Sequence, residues 1–459
     1  AVDLFSPFNH EWCTYYLKSG ILFTLPIAAQ SFDQHQAKLD TYLTTLSDNN
    51  KIMTAVYVTE SGMPRYEHYA GLASVEGNVP ISAQTRFRIG SVTKTFTAVL
   101  IMQLIENNKL SLDTKLNQFY PAIPNAAQIN IKHLLSHRSG IFNYTNDPDY
   151  MSFMTTPQTE EQLISRIRGY QPEFSPGSKH KYSNSNYVLL GFIIESLYGQ
   201  PLQEVIARNI TQPLNLDSTY YGNSIEIEEN EASSYRYNAH WVKHPETHMS
   251  APHGAGAIVS NAEDTNEFFT ALFEGKLVSN DSLSAMMKLE DGYGLGMTAA
   301  PFGEKQFYGH FGGIDGFVSA AGYNTEDGLN ITVLSNAVNY NFNEVLIAVL
   351  KTMYGHSIDI PDFSAKPITL SEKVLSSFEG QFASTQIPIK IRFWVEDGRL
   401  MSQGEGQGAV PLTAYSETKF RFDPAGLVIN FEEPNSSSNR SNGFVLSQGG
   451  GKYEFKRQQ

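Results

Sequence analysis

Apolar and polar residues alternate along the last hundred residues of the chain. Between residues 387 and 395 every second side chain is Ile, Phe or Val, and Asp397 and Gly398 follow directly. A period of two is typical of a β-strand with one buried face, and Asp-Gly is typical of a two-residue hairpin turn. The alternation returns at residues 420–422, 427–431 and 453–455. This region is therefore predicted to be a small antiparallel β-barrel or sandwich.

The preceding part of the chain mixes strand and helix patterns. Residues 55–58 and 66–71 predict two antiparallel strands around a turn at Ser61 and Gly62. Long apolar segments of helical character fill most of residues 91–290, and strand patterns return after Phe307. Strands on both sides of a helical region indicate an α+β fold, in which helices flank an antiparallel sheet.

Chain length and changes in the sequence pattern predict the division into domains. A chain of 459 residues is too long for one ordinary core, so two or three domains are expected. We predict an N-terminal segment at residues 1–30, a main domain at residues 31–360 and a C-terminal β domain at residues 361–459. In the first segment, Lys18 precedes a short apolar run that ends in small residues, which is typical of a secretory signal.

A polar and aromatic stretch comes before that run, so an N-terminal extension packed on the body is an equal alternative to a signal. The signal-like pattern leads us to expect a periplasmic or secreted protein, while a cytoplasmic location stays open.

Composition narrows the possible partners. The net charge of −14 argues against binding to nucleic acid or anionic membranes, because both attract basic surfaces. No apolar run reaches the ~18–20 residues that a membrane helix needs.

The one cysteine, Cys13, allows no intrachain disulfide and no cysteine-rich zinc site. His133 and His137 come nearest to a metal motif, and we expect them to be structural. We expect no cofactor and no metal, a small-molecule or peptide substrate, and we leave a homo-oligomer open.

Ser91 and Lys94 are the leading candidates for chemistry. They stand where a glycine and a short polar run open a long apolar helix, and residues three apart share one helix face. A serine at a helix N-terminus also lies beside free backbone N–H groups and the positive end of the helix dipole. Ser-x-x-Lys recurs at Ser178 and Ser416, where a loop and a strand-rich region favour a solvated polar pair. Ser91 is therefore the predicted nucleophile, with Lys94 as its base.

Two further motifs follow in order. Tyr182 and Asn184 form a Tyr-x-Asn motif before a second apolar helix, and His310 to Gly313 form a His-x-Gly motif before an apolar strand. Ser-x-x-Lys, Tyr-x-Asn and His-x-Gly in this order resemble the serine β-lactamase and penicillin-binding protein superfamily. The chain looks most like the branch that holds class C β-lactamases, D-Ala-D-Ala carboxypeptidases, D-aminopeptidases and family VIII esterases.

Other segments add to the resemblance. Residues 133–141, 254–264 and 293–297 are similar to segments of that branch, so the likeness covers about residues 40–355. It implies a β-lactamase/transpeptidase-like fold for the main domain. The C-terminal β domain resembles the lipocalin-like domain of some relatives. Tyr-x-Asn also occurs at Tyr144 and Tyr221, where order, spacing and flanks do not fit the family.

The resemblance also implies a role for each site residue. Tyr182 is expected to pass the proton to the leaving group, and Asn184 to contact the substrate amide or the Lys94 ammonium. His310 takes the place of the third motif's lysine. The backbone N–H groups of Ser91 and Gly313 are expected to form the oxyanion hole, with Gly312 and Phe311 beside them at the substrate.

Phe311 departs from the family pattern. Many β-lactamases and carboxypeptidases have a hydroxyl there that helps to hold a substrate carboxylate. The phenyl ring shifts weight toward ester, amide or aminopeptidase-type substrates. We therefore predict a serine hydrolase of esterase or D-peptidase type. A class C-type β-lactamase or DD-carboxypeptidase and a non-catalytic scaffold are the alternatives, and the complete set of five site residues argues against the scaffold.

Overall fold

The computed structural model describes residues 32–448 and 451–458. The predicted signal or extension at residues 1–30 lies outside the described residues. Contacts divide the described chain into two compact units, one formed by residues 52–338 and the other by residues 32–51 together with 339–458. The predicted boundaries at residues 30/31 and 360/361 stay predictions. Helices and strands are mixed throughout, so the predicted α+β class is confirmed.

The unit of residues 52–338 is built on a largely antiparallel sheet of eight strands. Six of them run in the order β10-β11-β12-β13-β1-β2, and the β7–β8 hairpin joins through β7, which pairs with β13. These strands are β1 (Ile52–Glu60), β2 (Met63–Ala70), β7 (Tyr235–Asn238), β8 (His240–Lys243), β10 (Thr298–Phe302), β11 (Lys305–Ile314), β12 (Phe317–Asn324) and β13 (Leu329–Val338). Shorter strands are β3 (Leu72–Ser74), β4 (Val79–Pro80), β5 (Phe87–Arg88), β6 (Tyr220–Tyr221) and β9 (Ile258–Ser260).

The helices of this unit lie between its first and last strands along the chain. Those described are α2 (Thr93–Glu106), α3 (Ile131–Leu135), α4 (Tyr150–Phe153), α5 (Glu160–Gly169), α6 (Asn184–Tyr198), α7 (Leu202–Ile206), α8 (Gln212–Leu214), α9 (Ala262–Phe273) and α10 (Asn280–Met287). Both α2 and α6 are buried along most of their length, since their sequences are apolar on nearly every face. Two central helices thus run from the predicted Ser91 and Tyr182 motifs into the core.

The prediction of helices across residues 91–290 missed the short strands β6 to β9. The β7–β8 hairpin is the clearest case, because each of its strands is only four residues long. It is held partly by a bridge between Tyr235 and Ala337, about a hundred residues away in the chain. Such pairing depends on a distant partner and cannot be read from local periodicity.

The second unit contains a nine-stranded antiparallel sheet that closes almost completely into a barrel. Its order is β17-β16-β15-β14-β22-β21-β20-β19-β18, and only Leu412 separates the two edge strands in the chain. The strands are β14 (Gly380–Ala383), β15 (Lys390–Glu396), β16 (Arg399–Gly404), β17 (Val410–Pro411), β18 (Thr413–Ala414), β19 (Lys419–Phe422), β20 (Leu427–Phe431), β21 (Gly443–Gln448) and β22 (Gly451–Arg457). The predicted small antiparallel β domain is confirmed, and of the two predicted forms, barrel or sandwich, it is the barrel.

The remaining helices of the second unit are α1 (Phe32–Asp48), α11 (Phe342–Met353) and α12 (Glu372–Leu375), and α1 packs on α11. Asp397 and Gly398 form the predicted turn, both with positive φ. The predicted strand at residues 387–395 begins only at Lys390, since Pro388 has no N–H to offer to the ladder. No helix in the described part of the chain is long and apolar enough to cross a membrane.

Candidate active site

Ser91 lies in a tight 3₁₀ turn, Gly90–Val92, that leads directly into α2. Gly90 has a φ of +50°, and a Cβ there would lie 2.7 Å from the backbone nitrogen of Gly313. The position therefore needs glycine both for its backbone conformation and for the close approach of β11. This turn presents the Ser91 side chain at the start of the helix, beside β11.

Lys94 lies one helical turn after Ser91 and is completely buried. Its Nζ is 2.8 Å from Ser91 Oγ, and it donates to Asn184 Oδ1 at 2.8 Å and to the Ala255 carbonyl at 2.7 Å. Burial lowers the pKa of Lys94 well below its ordinary value. A neutral amine has two N–H groups, which these two oxygens occupy, so its lone pair faces the Ser91 hydroxyl. Lys94 is thus arranged as a base for Ser91.

Tyr182 contacts the same hydroxyl from the other side. Its Oη donates to Ser91 Oγ at 2.9 Å, and its ring centroid is 4.9 Å from Lys94 Nζ. Burial raises the pKa of Tyr182, which keeps the phenol protonated. Ser91 therefore has a proton acceptor on one side and a proton donor on the other.

Asn184 begins α6, and two polar neighbours orient its side chain. Its Nδ2 donates to Thr145 Oγ1 at 3.1 Å, and Thr145 donates in turn to Asn143 Oδ1 at 3.0 Å. Asn143 Oδ1 also accepts from the backbone N–H of Asn184 at 3.0 Å. These contacts direct Asn184 Oδ1 toward Lys94. The sequence did not single out Thr145 as functional, because it lies inside the discounted Tyr-x-Asn at Tyr144, about forty residues upstream.

His310 on β11 lies at the edge of this cluster. Its ring centroid is 6.4 Å from that of Tyr182, and its Nε2 is 2.9 Å from Tyr293 Oη. Its Nδ1 donates to the carbonyl of Phe311 at 2.5 Å. Burial raises the pKa of Tyr293, so the phenol keeps its proton and can donate to Nε2. Tyr293 was seen at the sequence level only as part of the family-like segment at residues 293–297.

The glycines of β11 lie against the turn that carries Ser91. A Cβ on Gly312 would meet the Ile89 carbonyl at 2.0 Å, and that carbonyl accepts from Ser319 Oγ at 2.8 Å. The β10 strand pairs with residues 305–309 only, so residues 310–314 extend beyond that ladder alongside Gly90 and Ser91. The backbone N–H groups of Ser91 and Gly313 thus come from two segments in close contact, as an oxyanion hole requires.

The other Ser-x-x-Lys pairs have no such surroundings. Ser178 donates to the Ser175 carbonyl, while Lys181 pairs with Glu173. The Ser416 hydroxyl accepts from nearby backbone N–H groups in a turn of the barrel. Both pairs are exposed, and neither serine contacts a buried lysine and a tyrosine as Ser91 does.

The two histidines of the predicted structural segment have separate partners. His137 Nδ1 accepts from the backbone N–H of Ser183 at 3.2 Å, and His133 Nδ1 accepts from that of Asn130 at 3.4 Å. Within residues 32–448 and 451–458 no cluster of three or more His, Cys, Asp or Glu side chains could hold a metal ion.

Comparisons with known proteins agree with the region in which the motifs were found. The Beta-lactamase family model matches residues 39–351. Penicillin-binding protein 4* of Bacillus subtilis is 24% identical over 453 residues, which cover 91% of this chain and 98% of that protein. Teichoic acid D-alanine hydrolase of Staphylococcus aureus is 26% identical over 291 residues, or 61% of this chain and 70% of that protein.

Solved structures show the same fold. D-amino acid amidase from Ochrobactrum anthropi SV3, complexed with L-phenylalanine amide, superposes with a TM-score of 0.63 at 23% identity and covers 71% of this chain and 99% of its own. An octameric penicillin-binding protein homologue from Pyrococcus abyssi superposes with a TM-score of 0.65 at 23% identity. The match covers 91% of this chain and 99% of that chain. The second likeness extends over nearly the whole chain.

Proposed function

Since this chain belongs to the Beta-lactamase family, we propose that it is a serine hydrolase that forms an acyl-enzyme on Ser91 and cleaves D-aminoacyl or simple acyl esters and amides. The observation that carries this proposal is the position of Ser91 Oγ, 2.8 Å from Lys94 Nζ and 2.9 Å from Tyr182 Oη. A nucleophile, a base and an acid thus meet at one hydroxyl.

Acylation begins when the neutral amine of Lys94 takes the proton of Ser91 while Oγ attacks the substrate carbonyl. The carbonyl oxygen becomes an oxyanion that accepts from the N–H groups of Ser91 and Gly313. Tyr182 gives its phenolic proton to the departing alcohol or amine and regains one from Lys94. Deacylation runs these transfers in reverse, with water in place of the leaving group. Tyr182 takes a proton from the attacking water as it passes its own to Lys94, and Lys94 returns a proton to Ser91 Oγ as the acyl bond breaks, so that all three residues end in their starting states.

Asn184 and His310 support these transfers. The Asn184 oxygen accepts from Lys94 in both of its protonation states, which keeps the amine directed at Ser91. His310 lies beside Tyr182 and is oriented by Tyr293, so it polarises the surroundings of the phenol. Asn184 thus orients the proton acceptor, and His310 contributes to the electrostatic surroundings of the proton donor.

Phe311 bears on the choice of substrate. A substrate carboxylate that meets a phenyl ring in place of a hydroxyl loses a charge-assisted hydrogen bond of ~1.5–3 kcal/mol, or about one to two decades in rate. The relative named teichoic acid D-alanine hydrolase supports a D-aminoacyl ester instead. A β-lactamase or DD-carboxypeptidase is the second candidate, because a relative named penicillin-binding protein matches nearly the whole chain.

Intact mass spectrometry tests the nucleophile. After incubation with a fluorophosphonate, the protein is expected to gain one phosphonyl group on Ser91, which peptide mapping locates. The Ser178→Ala variant serves as the control and is expected to be labelled as fully as the unchanged protein. Label on Ser178 or Ser416, or no label at all, contradicts the proposed function.

Comparative kinetics test the substrate class. We expect kcat/KM to be higher for p-nitrophenyl butyrate and a D-alanine ester than for nitrocefin and an acyl-D-Ala-D-Ala peptide. Phe311→Thr is expected to raise turnover of the two substrates that carry a free carboxylate. A clear preference of the unchanged protein for nitrocefin or the free-carboxylate peptide contradicts the assignment.

A further inference from the structure

Arg88 and Asp315 form an ion pair in the interior of the 52–338 unit. Their side chains are 2% and 1% exposed, and Arg88 Nη1 donates to Asp315 Oδ2 at 2.9 Å. The guanidinium also donates to the Thr247 carbonyl at 2.7 Å and to the Asn223 carbonyl at 2.9 Å. Nothing in the acylation sequence uses this pair.

Asp315 is held as firmly as Arg88. Its Oδ1 accepts from both the backbone N–H and the hydroxyl of Thr247, at 3.0 and 2.6 Å. It has a φ of +55° in the turn between β11 and β12, and the adjoining Gly316 donates its N–H to Ser234 Oγ at 3.0 Å. The side chains around this turn therefore fix a backbone conformation that a non-glycine residue seldom adopts.

The pair connects the two backbone segments that carry the oxyanion hole. Arg88 lies three residues before Ser91, and Asp315 lies two residues after Gly313. The two segments are in close contact between these points. A Cβ atom on Gly90 would lie only 2.7 Å from the backbone nitrogen of Gly313, and a Cβ atom on Gly312 would lie only 2.0 Å from the carbonyl oxygen of Ile89. A small shift of either segment changes the spacing of the two N–H donors.

We propose that the Arg88–Asp315 ion pair is a positioning device that holds the backbone N–H groups of Ser91 and Gly313 at the spacing an oxyanion needs. The inference deepens the proposed function and rests on it. A buried pair of opposite charges that also bonds to the backbone at Asn223 and Thr247 resists displacement, since either charge left alone in the interior is strongly unfavourable. Both residues act through the backbone and contact no substrate.

Asp315→Asn is the decisive variant. It keeps the shape of the side chain and an oxygen for Thr247 but removes the nearer of the two carboxylates that face Arg88, the other being that of Glu246 at 3.5 Å. Complete removal of one oxyanion-hole donor lowers kcat by ~10²–10³-fold, and we expect displacement to lower it by about 10- to 100-fold while KM changes less than about threefold. Affinity for butylboronic acid is expected to fall by a similar factor, because its tetrahedral adduct on Ser91 also places an oxygen in the hole.

Asp327→Asn is the matched control. Asp327 pairs with Lys305 at the opposite end of the same β11–β12 hairpin, at 3.3 Å, and it undergoes the same chemical change. We expect kcat and boronate affinity to stay unchanged in this variant. Thr247→Val is a second, milder variant that removes one donor to Asp315 and keeps the ion pair. A smaller loss of kcat in the same direction is expected, and it keeps the inference testable if Asp315→Asn does not fold.

Fluorophosphonate titration of active sites corrects each rate for the fraction of folded enzyme. Equal corrected rates in Asp315→Asn and Asp327→Asn overturn the inference, as does a higher rate in Asp315→Asn. A shift of the Lys94-dependent limb of the pH–rate profile in Asp315→Asn also overturns it, because the pair then acts on the base. If the unchanged protein takes up no label on Ser91, the proposed function itself fails and this inference fails with it.

Discussion

The interior around Ser91 and the interior of the C-terminal barrel are built from different side chains. Around Ser91, Lys94, Tyr293 and His310 are buried, and Tyr182 and Asn184 are half-buried. Hydrogen bonds join Lys94 to Asn184 and, through Ser91, to Tyr182, and a separate one joins Tyr293 to His310. The barrel is filled mainly by phenylalanine. Its buried phenylalanines are Phe378, Phe382, Phe393, Phe420, Phe431, Phe444 and Phe455.

The two interiors are stabilised in different ways. The aromatic rings of the barrel pack edge to face or stacked, as Phe378 on Phe431 with centroids 4.4 Å apart, and need only matching shapes. The polar interior is stable only while each donor faces an acceptor, since an unpaired buried polar group costs about 1–3 kcal/mol. We therefore expect catalytic activity to depend on individual polar atoms near Ser91. We expect the stability of the barrel to depend on the volume of its buried side chains.

Ser91→Ala is expected to have the largest effect on activity. Removal of the nucleophile from an acyl-transfer site costs at least ~10³-fold in kcat, and the fold is expected to remain because only one hydroxyl is lost. Hydrolysis of p-nitrophenyl butyrate and the thermal melting curve measure the two properties. Ester hydrolysis at the rate of the unchanged protein means that another residue is the nucleophile.

Lys94→Arg is expected to come next. Arginine keeps a positive charge and cannot lose its proton in a protein, so it cannot take the proton of Ser91. A loss of at least ~10²-fold in kcat is expected, the low end for general-base catalysis. Lys109→Arg, at an exposed site just after α2, is the control. Near-normal turnover in Lys94→Arg shows that a different group is the base.

The pH dependence of the unchanged enzyme sharpens the assignment of both proton carriers. Burial lowers the pKa of Lys94 from 10.5, so the active neutral amine accumulates as pH rises through that lowered value. Burial raises the pKa of Tyr182 from its ordinary value of 10.0, so the phenol still keeps its proton at pH 10. We expect kcat/KM to rise with pH to a plateau that persists to about pH 10. If kcat/KM falls below pH 10, or rises only near pH 10.5, these protonation states are contradicted.

Thr145→Val tests a residue that acts through Asn184. Valine has a similar shape but no hydroxyl, so Asn184 loses the contact that directs its oxygen toward Lys94. Loss of one neutral hydrogen bond, ~1 kcal/mol, corresponds to about a fivefold lower kcat. The ascending limb of the pH profile is expected to move as well, which a purely structural role does not produce. Thr156→Val, whose hydroxyl donates to a local carbonyl, is the control.

Phe431→Ala is expected to leave the rate per folded molecule unchanged. Removal of a buried phenylalanine destabilises a core by about 3–5 kcal/mol, because it leaves a cavity among the surrounding rings. Denaturant unfolding of the barrel measures this loss, with Lys452→Ala at an exposed position of β22 as the control. A tenfold fall in kcat after correction for active sites indicates that the barrel takes part in catalysis.

Much of the fold and the site follows from local pattern. The family prediction is confirmed, and it rested on three short motifs in the right order. The helical spacing of Ser91 and Lys94 puts them on one face whatever surrounds them. An antiparallel barrel or sandwich was predicted because the alternation of apolar and polar residues indicates one buried face in each strand. The alternation did not decide between these two forms, and it did not predict that β15 begins only at Lys390.

The sequence by itself determined the residue types of the candidate site, the helix that joins Ser91 to Lys94, and the β character of the C-terminal region. Each depends on a spacing of two to four residues, which backbone geometry converts directly into a shared face. Only the tertiary structure placed the Ala255 carbonyl on Lys94, Thr145 on Asn184, Tyr293 on His310 and Asp315 on Arg88. These contacts join segments that are 17 to 227 residues apart, and no local periodicity encodes such a meeting. They exist because the packed interior leaves each buried polar atom few partners within reach.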